Sequence, residues 1–229
     1  MKKIFTHENN PLAGAHRALR ILATAALANK TVTIDPSYTH RTTNVSPEFR
    51  EKFPIGQAPA FETLDGEYIS EGSAIALYIA LKSPESGLLP SDPVGQALVA
   101  QWQGFIDFSV LGNLIFVYGS LGGHNGEVPP VYVQKKYAAA VDALAKLDVL
   151  FARKEAQNEP AFLIGDRVTL ADIAVVSGLV RGYQSLYDKS IQEKYPHVMK
   201  YTKSILAIPE VKGVYGEVKF AEVSPLKLV

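Results

Sequence analysis

The sequence predicts an α/β region followed by an all-helical one. Three observations carry this. Short β-branched runs alternate with helical periodicity as far as residue 82; the stretch "SPESGLLPSDP" (83–93) then breaks every pattern with three prolines and a glycine; and from residue 92 onward only helical spacing is found. Two domains are expected, 1–82 and 92–222.

Lys2 to Thr6 suits a short strand. In "PLAGAHRALRILATAALANK", Ala15, Ala18, Leu19, Leu22, Ala25 and Ala26 then share one helical face. Thr31 to Ile34 is β-branched and stops at Pro36, so the opening reads strand, helix, strand, a unit that requires a parallel pair. "SPEFREKF" forms a short helix with Ser46 as N-cap and Pro47 at the first helical position, ended by Phe53-Pro54. Pro59 to Thr63 and Glu67 to Ser70 flank Leu64-Asp65-Gly66, a strong hairpin signal. "EGSAIALYIALK" places Ala74, Ile75, Tyr78 and Ile79 at helical spacing.

In the second region Asp92 and Pro93 start a helix with Leu98, Trp102, Phe105 and Ser109 on one face. A long helix from about Tyr132 to Lys154 carries Val133, Tyr137, Val141, Leu144, Leu147 and Phe151 at steps of three and four. In "FLIGDRVTLADIAVVSGLV", Thr169 and Asp172 make a capping box, and Val168 and Ile173 a hydrophobic staple.

The chain has 229 residues, 47% of them hydrophobic, enough for a sizeable core. Lys plus Arg and Asp plus Glu both total 23, so no net field draws the protein to nucleic acid or an anionic membrane. His7, Glu8, Asn9 and Asn10 interrupt any signal-peptide core, and no apolar run is expected to reach the ~18 residues of a membrane helix. With zero cysteines, disulfides, thiolate metal sites and redox pairs are excluded. The histidines at 7, 16, 40, 124 and 197 lack metal-ligand spacing, so no metal is expected. Two glycosylation sequons, Asn29-Lys30-Thr31 and Asn44-Val45-Ser46, read as chance triplets.

This order of elements, with "GQAPAF", "EGSAIALYI" and "FLIGDRVTLADIAVV", resembles the glutathione transferase superfamily across both regions. "YPHVMKY" (195–201) and "GEVKFAE" (216–222) resemble in particular the gamma subunit of elongation factor 1B and related fungal transferases. The resemblance implies a thioredoxin-like N-terminal domain, an all-helical C-terminal bundle domain, glutathione as co-substrate, an apolar electrophile, a cytoplasmic location and a homodimer.

Carried over residue by residue, it implies a cis Ala58-Pro59 bond whose Ala58 backbone pairs with the cysteinyl amide, and a contact from Gln57. Glu71 is expected on the ligand ammonium, with the N–H groups of Gly72 and Ser73 on the γ-glutamyl carboxylate. Most active relatives carry serine where this chain has Gly72. The missing hydroxyl is expected to weaken binding by roughly 1.5 to 3 kcal/mol unless Ser73 or a water replaces it.

Near the end of the first strand, where relatives activate the thiol with Tyr, Ser or Cys, "FTHENNPLAGAH" offers none. Thr6, His7, Asn9 and Asn10 remain. His7 and Asn10 are the candidates for stabilising a thiolate, the alternative being that all four satisfy loop backbone. Trp102, Phe105, Phe108 and Phe116 either line an electrophile pocket or belong to the core; the partner of Asp107 stays open.

Two functions follow: an enzyme that conjugates glutathione to small electrophiles or reduces peroxides with it, and a non-catalytic scaffold of the elongation factor 1B complex, bound to its other subunits. A chain ending shortly after "GEVKFAE" favours a stand-alone protein; the missing serine and catalytic hydroxyl favour the scaffold.

Overall fold

A computed structural model describes residues 2–6 and 16–226. The chain divides into two compact units, one spanning Met1–Gln96 with Ile208–Gly216, the other Ala97–Ala207 with Glu217–Val229.

In the first unit, strands β1 (Lys2–Phe5), β2 (Val32–Ile34), β3 (Ala60–Glu62) and β4 (Tyr68–Ser70) form one sheet in the order β2-β1-β3-β4. The β1–β2 pair is parallel, as the strand, helix, strand reading requires, and the other two pairs are antiparallel. The hairpin closes where expected: the Thr63 amide donates to the Glu67 carbonyl at 2.9 Å, and Gly66 takes the positive φ of 80° that the turn demands. Ser46 caps α2 (Pro47–Lys52) by accepting from the Phe49 amide at 3.2 Å.

Helix α1 (His16–Leu27) departs from the expected single face. Ala18, Leu19 and Ala25 are buried, but so are Arg20, Ile21, Ala23 and Thr24, while Leu22 and Ala26 are only half-buried. The reason is that two helices pack on it: α3 (Gly72–Leu81), and α10 (Pro209–Tyr215), which returns from far along the chain. In α3, Ile75 and Ile79 are buried as expected, together with Ala76 and Ala80, whereas Ala74 is exposed.

The second unit is helical. Asp92 caps the helix that leads into it, accepting from the Gly95 amide at 2.8 Å. That helix runs unbroken from Pro93 to Leu121 as α4 (Pro93–Phe105), a π-helical segment (Ile106–Leu111) and α5 (Gly112–Leu121). At 29 residues, with an 18-residue window of mean hydropathy 1.4, it is long and apolar enough to cross a membrane by length and composition, contrary to the expectation from sequence. Ile106, Val110, Leu111, Leu114 and Val117 are fully buried, and the π segment and α5 pack on α6 (Pro130–Ala156).

All six residues of the periodic pattern in α6 are buried. Helices α7 (Leu170–Tyr183), α8 (Lys189–Lys194) and α9 (Pro196–Leu206) complete the bundle. The capping box forms: Asp172 accepts from the Thr169 amide at 2.8 Å and the Thr169 hydroxyl at 2.9 Å, and also from the Leu163 amide and the Tyr201 hydroxyl. Burial pushes the Asp172 carboxyl pKa up, and these four hydrogen bonds oppose the shift.

Candidate functional site

Strand register gathers the predicted site. Ala60 pairs with Ser70 across the β3–β4 hairpin and with Phe5 across β1–β3. Gln57-Ala58-Pro59 immediately precedes Ala60, and Glu71-Gly72-Ser73 immediately follows Ser70, so both segments lie at one end of the sheet. The last residues of β1 reach the same end. Thr6, just beyond, is buried at 3% exposure. His7, Asn9 and Asn10, the expected thiol-stabilising candidates and their neighbour, lie outside the described residues.

The Ala58-Pro59 bond is cis. Pro59 is buried, Ala58 half-buried and Gln57 exposed. Beneath them sits an aromatic cluster of Tyr38, Phe49 and Phe53, against which Phe5 and Ala58 pack; the Phe5 ring meets those of Phe49 and Phe53 nearly edge-on at 5.7 and 5.6 Å. Such pairs hold their relative orientation as well as burying area. The loop before Ala58 is therefore seated on rings contributed by β1, by the 35–45 connection and by α2 and its end.

Glu71 is exposed and has φ 74° and ψ 127°, a conformation that a side chain with Cβ rarely adopts. It stands as the N-cap of α3, yet its carboxylate makes no capping hydrogen bond. Its backbone carbonyl accepts from Ile75 at 3.0 Å, so the first-turn N–H groups point outward from the helix end, where the dipole favours an anion. The result is an acidic side chain and a set of anion-seeking N–H groups side by side, an arrangement suited to a ligand that carries an ammonium and a carboxylate together.

Gly72 is buried, and the structure gives its identity a packing reason. A Cβ there would lie 3.1 Å from the Arg17 carbonyl oxygen and 3.2 Å from the Arg17 Cβ. Next to it, the Arg20 guanidinium, only 1% exposed, donates to the Ser73 hydroxyl. Sequence spacing gave no hint of either contact, because both depend on how closely α1 approaches α3.

The four aromatic candidates along the Pro93–Leu121 helix are not core. Trp102, Phe105 and Phe116 are half-buried and Phe108 is 84% exposed. A cavity of about 320 Å³ in that unit lies between α6 and α9, floored by the stacked rings of Phe151 and Tyr201 and rimmed by Lys154, Glu155, His197 and Lys200. Among the described residues, no group of three or more His, Asp or Glu side chains is placed to hold a metal ion.

Residues 11–81 match the family described as glutathione S-transferase, N-terminal domain, and residues 113–209 the one described as glutathione S-transferase, C-terminal domain. A glutathione S-transferase-like protein of Gibberella moniliformis is 33% identical over 211 residues, covering 90% of each chain. Elongation factor 1-gamma of Drosophila melanogaster is also 33% identical, over 207 residues that cover 90% of this chain and 45% of that protein. Among solved structures, Ure2p in complex with glutathione superposes with a TM-score of 0.78 at 19% identity, over 93% of this chain and 97% of that one. A delta-class glutathione transferase of Nilaparvata lugens gives 0.75 at 21% identity, over 93% and 92%. The fold is the one read from the sequence: a thioredoxin-like domain with a four-stranded sheet, then a helical domain.

Proposed function

The chain belongs to the glutathione S-transferase family, and from that premise we propose that it binds glutathione at the end of its sheet and conjugates it to small apolar electrophiles, or uses it to reduce peroxides. One observation carries the reading: Ala60 pairs with Ser70 across the β3–β4 hairpin, so the Ala58 backbone just before the one and the Glu71–Ser73 helix start just after the other fall at the same end of the sheet. Glutathione offers a peptide amide for the first and an ammonium with a carboxylate for the second. In this reading Ala58 pairs with the cysteinyl amide, Gln57 contacts the peptide, and Glu71 takes the ammonium. The N–H groups of Gly72 and Ser73 receive the carboxylate. His7 and Asn10 are the proposed stabilisers of the thiolate, and the protein is a cytoplasmic homodimer.

Calorimetry with glutathione and an S-alkyl derivative tests the binding. A chloronitrobenzene conjugation assay on the unaltered protein, His7→Ala and Asn10→Ala tests the chemistry. Saturable binding with turnover that falls in at least one variant is expected; no binding of either ligand sinks the proposal.

The second reading, a non-catalytic scaffold of the elongation factor 1B complex, draws support from the equal identity to elongation factor 1-gamma and from the tight packing of Arg17 against Gly72, where the serine hydroxyl is missing. Binding without turnover, together with association with other elongation factor subunits, would favour it.

A further inference from the structure

Asn44 entered the sequence reading only as part of a chance sequon. In the fold it is 7% exposed, and both ends of its amide are engaged. Its Oδ1 accepts from the Arg41 amide at 2.6 Å, at a turn where Arg41 has a φ of 65°. Its Nδ2 donates to the Gly56 carbonyl at 2.9 Å, twelve residues further along the chain. Gly56 is itself fixed from three sides. Its amide donates to the Phe53 carbonyl at 2.9 Å, its φ is 63°, and a Cβ on it would meet the Asn44 carbonyl oxygen and Arg50 Nε, each at 3.2 Å.

The Gly56 carbonyl belongs to the same peptide plane as the Gln57 amide, so its direction sets where Gln57 and then Ala58 begin. Asn44 therefore ties the 41–45 turn to the segment proposed to receive the peptide part of glutathione. A carboxamide suits this task because it supplies one acceptor and one donor in a rigid plane; a carboxylate has no donor, and a hydroxyl has a shorter reach. We infer that Asn44 is a positioning residue for the glutathione site, holding Gln57 and Ala58 in the geometry that binds the ligand while touching no ligand atom itself. This inference rests on the reading given under Proposed function.

The test is a pair of double-mutant cycles read by calorimetric titration of glutathione, at a temperature where circular dichroism shows each variant folded. Asn44→Asp keeps the acceptor for the Arg41 amide and loses the donor to Gly56. It is expected to weaken binding about tenfold, as for an orphaned buried carbonyl. Combined with Gln57→Ala, the loss should be less than the product of the single losses, because both act through one segment. Combined with Glu71→Gln, which acts at the other end of the ligand, the losses should multiply. General loosening of the fold would not separate the two cycles.

If Asn44→Asp does not fold, the uncharged Asn44→Ser carries the same cycles. Binding unchanged by the substitution, or cycles that behave alike, overturns this inference alone. Failure of the unaltered protein to bind glutathione overturns it together with the reading beneath it.

Discussion

Gly72 and Arg17 pack tightly: a side chain on Gly72 would start 3.1 Å from the Arg17 carbonyl oxygen, a few tenths of an ångström inside ordinary contact distance. The Arg17 carbonyl is part of helix α1 and cannot swing aside as a side-chain tip would. Gly72→Ser, the substitution that restores the hydroxyl found in most active relatives, is therefore expected to destabilise the protein by about 1 to 3 kcal/mol through overpacking. It should not tighten glutathione binding. Denaturant titration and calorimetry on the same preparation check both halves; a tighter-binding Gly72→Ser protein of unchanged stability would contradict them.

Glu71 invites a substitution whose effects on stability and affinity diverge. Its φ of 74° costs about 1 to 3 kcal/mol for a residue with Cβ, a strain that glycine lacks. Glu71→Gly should leave thermal stability unchanged or raise it by about 1 kcal/mol, after the entropy glycine adds to the unfolded chain. Glutathione affinity should fall, since the carboxylate proposed for the ligand ammonium is gone. Parallel loss of stability and affinity would show Glu71 to be structural.

Asp172 is the acceptor for four donors drawn from three places: Leu163, Thr169 and the Tyr201 hydroxyl of α9. Asp172→Ala orphans them in a buried site, at a cost of about 3 to 5 kcal/mol. Tyr201→Phe removes only the hydroxyl on one side of this network and should cost about 1 kcal/mol. Urea unfolding curves for the two variants give the comparison.

A pH effect follows from Glu155. Its carboxyl pKa is held below the usual range first by the Lys200 ammonium at 2.7 Å and then by the His197 ring at 2.9 Å. A depressed carboxyl contributes stability that is present above its unfolded value, about 4.3, and is lost as pH falls through the lower folded value. Glu155→Gln should therefore differ from the parent above that window and converge with it below. The group is exposed, so the difference should be small and should shrink in high salt.

Local signals were legible and long-range ones were not. The six buried positions of α6, the Thr169–Asp172 box, the Ser46 cap and the Asp65-Gly66 turn all depend on neighbours within a few residues, and each formed as read. The expected Leu98, Trp102, Phe105, Ser109 face is only half-buried, and beyond Phe105 the π segment from Ile106 to Leu111 shifts the helical phase further. Burial passes to Val99, Ile106, Val110 and Leu111. Arg20 and Thr24 were unreadable as core because two helices pack on α1, and one of them joins the chain only near residue 209. At the site, the residue types around Ala58-Pro59 and Glu71 were legible, and their convergence follows from the hairpin. The reason for Gly72 and the role of Asn44 were hidden, since each depends on a gap or a bond between segments distant in sequence.

Helix α10 has a consequence for how the protein is made. Its Val211 and Tyr215 are buried within the first unit, against α1. About 180 residues separate the end of α1 from the start of α10. At a synthesis rate of ~5 to 20 residues per second, one flank of α1 waits roughly ten seconds to half a minute for its cover. During that interval the flank of α1 that α10 later covers stays open in the nascent chain, so the first unit completes its core only after nearly all of the second has been made.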